Sequence, residues 1–329
     1  MNALIVADAP PQTTVFTETV RAALARHVRF VASPRTAAEL RANLSLLRDV
    51  ECLFASWGAP LLDRELLDAA PRLKVVFYAA GSVRHMVTPE FWARKIRITS
   101  AAEANAAPVA AFAASAIILS LKNVWALARA TKTAGRFVPW GDIPGLVGSA
   151  VGRSAISRTG IAVAKLLQAH PMRVIAYDPF VSEAAAKALG VEKVSLDEVF
   201  AQSDVVSLHA PLLPKTAGLI HRGHFGAMKP GATFINTARG AIVREPEMLD
   251  VLEARPDLTA LLDVTDPEPP APGSRLFTLP NVVLTPHVAG TIDRERSLMG
   301  DYAVAELERY LAGQPLRGEI DERRFAILA

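Results

Sequence analysis

The chain has 329 residues, of which 51% are hydrophobic and 21% are charged, so it is neither disordered nor fibrous. At roughly 100–200 residues per domain, this length suggests two domains. Its 36 Lys and Arg residues only slightly outnumber its 33 Asp and Glu residues, and no basic tract has interleaved aromatic residues, which argues against nucleic-acid binding. The single cysteine, Cys52, excludes an intrachain disulfide and fits a cytoplasmic protein.

The N-terminal segment predicts a strand at Ala3–Ala7 and not a signal peptide, because it lacks a basic region followed by a long apolar core. Farther on, Ala104–Leu121 carries no charge over nearly the length of a membrane span. This stretch is rich in alanine, contains Asn105 and Pro108, and has no apolar neighbour that would form a second span. We therefore interpret it as a buried helix of a protein that does not enter a membrane.

Short apolar runs alternate with helical patterns along the chain. The predicted strands are Ala3–Ala7, Cys52–Ala55, Val75–Tyr78, Val174–Tyr177, Val205–Leu208, Thr233–Asn236, Leu258–Leu262 and Val282–Leu284. Apolar residues three and four positions apart predict helices over Phe16–His27, Ala37–Leu47 and Ala162–Ala169. This alternation indicates parallel sheets that are covered by helices on both faces.

A long helix near Pro108–Arg129 is predicted to divide the chain, with Pro108 in its first turn. A passage punctuated by Gly and Pro at 135–148 then leads into a second set of strands and helices. A last helix, at Ile292–Leu311, is predicted to carry the chain back to the first set. We therefore expect a discontinuous domain at 1–100 and 291–329 and an inserted domain at 101–290.

A helix, a turn and a strand that ends at Asp178 match the middle of a dinucleotide-binding unit. An acidic residue at this point accepts both ribose hydroxyls and repels a 2′-phosphate, so the pattern favours NAD over NADP. The glycine fingerprint is expected at 155, 157 and 160, where the sequence has Ala155, Ser157 and Gly160. Only the third glycine remains, although Ser157 can donate its hydroxyl to a phosphate oxygen.

The strand before this fingerprint contains an unexpected cation. Arg153 stands where a central parallel strand is normally apolar on both faces, and an unpaired buried guanidinium costs several kcal/mol. Two alternatives follow from the sequence. Either Arg153 reaches a carboxylate or the sheet edge, or the strand is shifted to Leu146–Val151.

Three segments carry a family resemblance. They are Phe234–Val243 (FINTARGAIV), Leu262–Pro269 (LDVTDPEP) and Leu284–Gly290 (LTPHVAG). Ser203–Leu212 and Met172–Pro179 match further segments of the same family. The chain resembles the D-isomer-specific 2-hydroxyacid dehydrogenases over nearly its whole length.

The chemistry of these segments also follows from their side chains. Reduction of a 2-keto acid requires a cation for the carboxylate, an acid for the carbonyl oxygen and a hydride donor. Arg239 offers a planar fork that grips the carboxylate, and His287 titrates near neutrality and exchanges the hydroxyl proton. Glu268 is expected to bind the other ring nitrogen of His287 and to favour the imidazolium. The resemblance assigns the same catalytic roles to these three residues.

The resemblance also implies two doubly wound parallel-sheet domains, with a Rossmann-type NAD domain inserted into a flavodoxin-like substrate domain. The cofactor is expected to be NAD, and Asp263 resembles the residue that receives the nicotinamide carboxamide. The cofactor-binding set that the resemblance implies is Ser157, Arg158, Thr159, Gly160, Asp178, His209, Ala210, Pro211, Thr216, Thr237, Ala238, Asp263 and His287. We interpret His209, His221 and His224 as structural or adenine-side residues, and no metal site is expected.

A loop in the first domain, Tyr78–Arg84, is similar to the family loop whose backbone amides hold the substrate carboxylate. The expected substrate-binding set is Ala80, Gly81, Ser82 and Arg84, together with Arg239. Two alternatives stay open for Arg84. It is either solvated, or it adds positive charge at the entrance to the substrate site. Trp57, which ends another strand, forms either an apolar wall of the site or part of the core.

The favoured hypothesis is an NAD-dependent dehydrogenase for a small D-2-hydroxy acid or its keto acid, with glyoxylate and hydroxypyruvate among the candidate substrates. An alternative is a non-catalytic NAD(H)-binding regulator, which the altered glycine loop and Arg153 favour. A third hypothesis is an acid-binding module without a cofactor. The resemblance further implies a two-fold homodimer. From charge and composition, no nucleic-acid or membrane partner is expected. The sequence leaves the particular hydroxy acid and the direction of the reaction open.

Overall fold

The computed structural model describes residues 1–327 and divides them into two compact units. One unit comprises residues 1–105 together with the chain from Thr291 onward, and the other comprises Ala106–Gly290. The first boundary lies five residues beyond the expected one. We describe each unit separately.

The first unit is built on a five-stranded sheet in the order β2-β1-β3-β4-β5, in which every neighbouring pair is parallel. This is the flavodoxin-like order. The strands are β1 (Asn2–Val6), β2 (Arg29–Phe30), β3 (Cys52–Ala55), β4 (Val75–Tyr78) and β5 (Arg97–Ser100). The helices among them are α1 (Ala9–Thr14), α2 (Glu18–Ala25), α3 (Ala37–Ala42), α4 (Arg64–Ala69) and α5 (Pro89–Ala93).

Alternate residues of β4 enter two different hydrophobic clusters. Val76 and Tyr78 pack in one cluster, whereas Val75 and Phe77 pack in the other. Both faces of this sheet are therefore buried, which explains why its strands are continuous apolar runs.

Polar caps begin the surrounding helices where the sequence supplies them. Thr36 starts α3 with a capping box that includes Glu39, and Asp63 and Thr88 accept backbone N–H groups at the starts of α4 and α5. Each cap satisfies an amide that has no partner within its helix.

The inserted unit contains a seven-stranded parallel sheet in the order β12-β11-β10-β9-β6-β7-β8, which is a Rossmann-type order with one additional strand. Its strands are β6 (Ala150–Arg153), β7 (Arg173–Ala176), β8 (Glu192–Lys193), β9 (Val205–Leu208), β10 (Thr233–Asn236), β11 (Thr259–Leu262) and β12 (Val282–Leu284). The helices from the end of β5 onward are α6 (Ala102–Leu121), α7 (Val124–Ala134), α8 (Arg158–Leu167), α9 (Glu183–Ala188), α10 (Leu196–Gln202), α11 (Arg222–Ala227) and α12 (Glu245–Ala254).

After the inserted unit, the chain completes the first unit with α13 (Ser297–Leu311) and α14 (Glu322–Ile327). The two parallel sheets with helices between their strands confirm the predicted fold class. The predicted strands are confirmed to within one residue at each end.

The prediction of a single helix over Pro108–Arg129 was wrong in two respects. Helix α6 already begins at Ala102, so Pro108 lies inside it and not in its first turn. The residues before Pro108 are mostly alanine, the strongest helix former, and they extend the helix past the proline. The helix then ends at Leu121, because Asn123 adopts a left-handed conformation with φ of 50° and α7 begins after it.

By length and composition, α6 is long and apolar enough to cross a membrane, and it is the one such helix among residues 1–327. About half of its most apolar stretch is buried, at 44%. The buried residues include Ala110, Ala113 and Ile117, which pack in the core of the inserted unit.

Candidate active site

His287 and Glu268 form a direct contact at the carboxyl end of the second sheet. His287 follows β12 and Glu268 follows β11, which is the neighbouring strand. The distance between His287 Nδ1 and Glu268 Oε1 is 2.6 Å, and about half of each side chain is exposed, at 49% and 42%. Glu268 thus occupies Nδ1, which leaves Nε2 as the nitrogen that can exchange a proton with a bound molecule.

The loop that carries His287 is held by Asp263. The Oδ1 atom of this buried carboxylate accepts hydrogen bonds from Thr285 Oγ1 at 2.6 Å and from Val288 N at 2.8 Å, and its Oδ2 atom accepts one from Ala289 N at 2.9 Å. The backbone N–H of His287 donates to the carbonyl of Asp263 at 3.0 Å. These bonds hold His287 at a φ of 54°, a conformation that costs a non-glycine residue about 1–3 kcal/mol.

Arg239 follows β10, the strand next to β11. Its side chain is exposed, and its Nη1 donates to the carbonyl of Ala238 at 2.6 Å. Although the side chain as a whole is exposed, the protein atoms around its guanidinium displace part of the surrounding water and lower the pKa of Arg239, whereas the negative charge of Glu268 acts in the opposite direction. The three residues that the sequence motifs singled out are therefore assembled at the ends of three adjacent strands.

Two residues that position Arg239 were not predicted as site residues from the sequence. Asn236, at the end of β10, accepts from Ala238 N through Oδ1 and donates to the carbonyl of Arg239 through Nδ2, both at 3.0 Å. The sequence signal that could have identified Asn236 is its polar side chain at the end of a buried strand. A Cβ on Gly240 would lie 2.0 Å from the carbonyl carbon of Thr265, so only glycine lets these two loops meet.

Asp178 lies just beyond β7, the strand beside β6. Its Oδ2 accepts from Ile156 N at 2.8 Å, and its Oδ1 accepts from Phe180 N at 2.8 Å and from Val181 N at 3.1 Å. The carboxylate thus ties the altered glycine loop to the end of the next strand, where a ribose acceptor is expected.

The start of α8 is the second segment at which the sequence predicts dinucleotide binding. Ser157 caps this ten-residue helix by accepting from Gly160 N, and Arg158 and Thr159 form its first turn. A Cβ on Gly160 would lie 2.5 Å from the carbonyl oxygen of Ala155, so the third fingerprint glycine has its expected packing role. The free amides of a helix N-terminus and an acidic residue after the next strand fit a dinucleotide.

Both alternatives for Arg153 were wrong. The strand is not shifted, since Arg153 ends β6 at the middle of the sheet and is fully buried. Its Nη1 donates to the carbonyl of Gly160, whereas Nε and Nη2 have no partner within residues 1–327. Without a carboxylate nearby, burial lowers the pKa of Arg153 to about 10.

His209 is buried near this cation. Burial, followed by the positive charge of Arg153, lowers the pKa of His209 to about 3, so the ring is neutral at physiological pH. Its backbone N–H donates to Ser154 Oγ at 3.0 Å. His209 therefore cannot serve as an acid at neutral pH, which agrees with its interpretation as a structural or adenine-side residue.

The other predicted cofactor residues lie in loops that follow strands of the same sheet. Ala210 and Pro211 come after β9, and Thr216 closes the next turn by donating to the carbonyl of Pro211 at 2.6 Å. Thr237 comes after β10, and its buried Oγ1 has no partner among the described residues.

In the first unit, the predicted substrate loop follows β4. Ser100 Oγ donates to the carbonyls of Ala80 and Gly81, which anchors the start of the loop to β5. The solvated alternative for Arg84 was wrong, because its Nη2 donates to the carbonyl of Phe325 at 2.6 Å and its guanidinium lies 4.9 Å from the centre of that ring. Helix α14 therefore holds the end of the loop.

Comparison with known proteins agrees with this arrangement. Residues 115–289 match the family model described as the D-isomer specific 2-hydroxyacid dehydrogenase, NAD binding domain. The D-3-phosphoglycerate dehydrogenase of Archaeoglobus fulgidus is 33% identical over 79% of this chain and 49% of its own length. The glyoxylate reductase of Thermofilum pendens is 31% identical over 77% of this chain and 76% of its own length.

Solved structures give the same result. The TT0316 protein from Thermus thermophilus is 30% identical, with a TM-score of 0.75 over 98% of this chain and 100% of its own. The D-isomer specific 2-hydroxyacid dehydrogenase of Lactobacillus delbrueckii, solved with NAD, has a TM-score of 0.80 over 98% and 100% of the two chains at 20% identity, and this likeness shows the fold alone.

The fold and the site define a two-unit α/β protein with a histidine–carboxylate–arginine cluster at the ends of three adjacent parallel strands. The chain belongs to the D-isomer specific 2-hydroxyacid dehydrogenase family, and its cofactor is NAD. It spans about half the length of the D-3-phosphoglycerate dehydrogenases that it matches.

Proposed function

We propose that the chain is an NAD-dependent dehydrogenase that interconverts a small D-2-hydroxy acid and its 2-keto acid. The contact between His287 Nδ1 and Glu268 carries this proposal, because it leaves Nε2 for the substrate oxygen. Arg239, on the neighbouring strand end, supplies the cation that a carboxylate substrate requires.

In the direction of reduction, Arg239 holds the substrate carboxylate and polarises its carbonyl group. Protonated His287 donates the proton on Nε2 to the carbonyl oxygen, while Glu268 keeps the ring oriented and stabilises its positive charge. NADH, when bound, supplies the hydride for the carbonyl carbon. In the reverse direction, neutral His287 accepts the hydroxyl proton on Nε2.

The cofactor would be held by residues of the inserted unit. Asp178 accepts the adenosine ribose hydroxyls, the first turn of α8 faces the pyrophosphate, and Asp263 receives the nicotinamide carboxamide. An ionised carboxylate has about four acceptor sites, so the three bonds that Asp263 accepts from the loop after β12 leave room for one more.

The first unit would bind the substrate. The amides of Ala80, Gly81 and Ser82 lie in a loop at the carboxyl end of a parallel strand, where α/β proteins bind their ligands. Arg84 would act in this loop through its bonds to α14 as well as through its charge. On this proposal the domain functions divide as the sequence predicted, with substrate recognition at 1–100 and 291–329 and NAD binding at 101–290.

A non-catalytic NAD(H)-binding regulator is the rival function. The altered glycine loop and the unpaired Arg153 support it, because both disturb the strand that leads to the cofactor. The intact and assembled Arg239, Glu268 and His287 support the enzyme, as do relatives named as dehydrogenases and reductases.

The deciding experiment follows NADH absorbance with glyoxylate, hydroxypyruvate, pyruvate and bulkier keto acids, alongside NADH binding by fluorescence quenching. We expect turnover of at least one of these acids, and we expect Arg239→Gln to lower that turnover. Arg158→Gln, which changes an expected cofactor-binding residue, is the comparison variant. Quenching without turnover of any keto acid would identify the regulator, and no quenching would point to an acid-binding module without cofactor.

The assembly would be a cytoplasmic homodimer without nucleic-acid or membrane partners. Large apolar side chains at 135–148 support a protein partner, because Phe137, Trp140 and Val147 are 93%, 79% and 80% exposed. Helix α7, which precedes them, has apolar residues but no buried ones. In a two-fold dimer, this surface would pack against the equivalent surface of a second copy of the chain.

A further inference from the structure

Arg296 and Trp57 form a stacked pair in the first unit. Trp57 follows β3, and Arg296 immediately precedes α13. The guanidinium carbon of Arg296 lies 5.5 Å from the centre of the indole ring. Trp57 is 36% exposed, so its interpretation as a core tryptophan was wrong, and it presents a face on which a cation can be held.

The guanidinium of Arg296 has no anionic partner among residues 1–327. Its Nε is buried and makes no hydrogen bond. Neighbouring Glu295 instead accepts from the backbone of Ile292. The carboxylate of Asp8, at the end of β1, lies against the backbone of Gly58 and forms no ion pair with Arg296.

An arginine in this state is prepared to bind an anion. Stacking on an indole restrains the plane of the guanidinium, while the N–H groups along its edge keep the geometry that grips a carboxylate or phosphate with two bonds. A half-buried cation without a counterion also gains more from such a pair than a solvated one.

The pair lies at the position in this sheet where a ligand is expected. In the order β2-β1-β3-β4-β5, the chain changes direction between β1 and β3. Doubly wound sheets bind ligands outside the carboxyl ends of their strands at this switch point. Trp57 follows β3 on one side of the switch point, and Asp8 follows β1 on the other.

We propose that Arg296, held on Trp57, selects 2-keto acids whose tail carries a second anionic group, either a carboxylate or a phosphate. This inference rests on the proposed function, in which the loop at Ala80–Ser82 after β4 binds the substrate. Neighbouring strands lie about 4.8 Å apart. A substrate of about four or five carbons therefore reaches from the end of β4 to the end of β3.

The test compares pairs of substrates in which one member has an anionic tail group that the other member lacks. The carboxylate arm pairs 2-oxoglutarate with 2-oxopentanoate, and the phosphate arm pairs 3-phosphohydroxypyruvate with hydroxypyruvate. The wild-type protein should prefer the anionic member of at least one pair. Arg296→Gln should lower that preference, expressed as a ratio of kcat/KM values, by roughly 10–100-fold, which is the value of a hydrogen bond to a charged group.

Arg294→Gln is the matched control, because Arg294 is an exposed arginine two positions away that does not stack on Trp57. It should leave the preference unchanged. The inference would be overturned if the wild-type protein had equal kcat/KM values for the two members of each pair. It would also be overturned if Arg296→Gln lowered kcat/KM equally for the charged and the uncharged member of each pair. The arm that responds distinguishes a carboxylate tail from a phosphate tail.

Calorimetric binding of the same acids to the NAD⁺ complex, in which no hydride is available, makes the comparison without turnover. Failure of the proposed function is therefore separable from failure of this inference. Inactivity with every keto acid would refute the former. Equal binding of charged and uncharged tails to the wild-type protein would refute the latter.

Discussion

At the scale of single residues, the site depends on carboxylates that have different tasks. Glu268 contacts the ring of His287 from an exposed loop, whereas Asp263 is buried and uses its oxygens to shape the backbone around that ring. Glu268 contacts the imidazole ring itself, whereas Asp263 fixes the backbone that positions the ring. Substitutions of the two should therefore have different effects, with Glu268 affecting the rate and Asp263 affecting the fold of the loop.

Replacing His287 with Gln should lower kcat about 10²–10⁴-fold, the usual contribution of a general acid, because the glutamine amide cannot donate a full proton. Steady-state rates with the best keto acid measure the loss, and fluorescence titration should show nearly unchanged NADH affinity. His27→Gln, an exposed histidine of the other unit, is the control. Near-normal turnover of His287→Gln would remove His287 from the mechanism.

Replacing Glu268 with Gln keeps a hydrogen-bond acceptor beside His287 Nδ1 but removes the negative charge. The imidazolium formed during catalysis then loses a charged partner, so kcat for reduction should fall roughly 10–100-fold, less than in His287→Gln. Asp266→Asn, an exposed acid in the same loop, should have no such effect. Equal rates for Glu268→Gln and the wild-type protein would mean that the observed contact is not used.

Replacing Asp178 with Asn tests cofactor choice. The wild-type protein should prefer NADH to NADPH, because a carboxylate accepts ribose hydroxyls and repels a 2′-phosphate. Asparagine retains one acceptor for the loop amides and removes the charge, so the ratio of the two kcat/KM values should fall about tenfold or more. A wild-type protein that uses both cofactors equally contradicts this prediction. Thermal unfolding of both proteins checks that the loop is intact.

At the scale of elements, β6 is a central strand that carries a cation where such strands are normally apolar. It is paired along both edges, with β9 on one side and β7 on the other, and all four of its residues are buried, yet it ends in a guanidinium with two unpaired N–H-bearing nitrogens among residues 1–327. A single bond to the carbonyl of Gly160 does not replace the water that Arg153 has lost. The strand survives because the apolar residues around it outweigh this cost.

Arg153→Met should raise the free energy of unfolding by about 1–4 kcal/mol, the range measured when apolar residues replace buried ions. The sign follows from the pKa. Arg153 is charged in both states at neutral pH, and the penalty on the folded state is complete below a pH of about 10. Above that pH the folded state loses the proton while the unfolded state, with the higher ordinary pKa of arginine, keeps it, so the gain should shrink as the pH rises further.

Urea unfolding at neutral and alkaline pH measures this difference. Arg173→Met is the control, because Arg173 begins the neighbouring strand, is exposed and pairs with Glu192 at 2.7 Å. Loss of such a surface pair should cost no more than about 1 kcal/mol. Destabilisation by Arg153→Met would show that the guanidinium has a compensating partner.

Elements were predictable where a run of apolar residues coincided with a strand. The strands β3, β4 and β12 are such runs. The strands that the sequence pattern did not predict lack this signal, because β2 and β8 have two residues each and β5 begins with Arg97. Strand β6 was obscured by Arg153, whose burial no local pattern indicates.

The site was predictable where family motifs supplied chemistry. His287, Glu268 and Arg239 each stand in a recognisable segment, and the fold brings the segments together. The residues that support them were not predictable, because their roles arise from contacts between loops. Gly240 matters only because the backbone at Thr265 crosses it, and Thr285 matters only because Asp263 accepts its hydroxyl.

At the scale of the whole molecule, the exposed apolar residues at 135–148 should be covered in solution. We predict that the wild-type protein sediments as a dimer at micromolar concentration, because a monomer would leave Phe137, Trp140 and Val147 in water. The double variant Phe137→Ser, Trp140→Ser should sediment as a monomer while still binding NADH. Leu166→Ser, an exposed apolar residue on α8, is the control, and a monomeric wild-type protein would contradict the prediction.

The backbone of His287 has a consequence for how this protein changes over generations. Its left-handed conformation is a standing cost that glycine would avoid and asparagine would reduce. A lineage that had abandoned proton transfer would gain stability from either replacement, and random drift would supply both. Gly240, in contrast, would persist in an inactive descendant, because packing alone demands it. The residue at position 287 is therefore more informative than the one at position 240 about selection for catalysis. Among close descendants, its identity would distinguish active enzymes from proteins that keep only the fold.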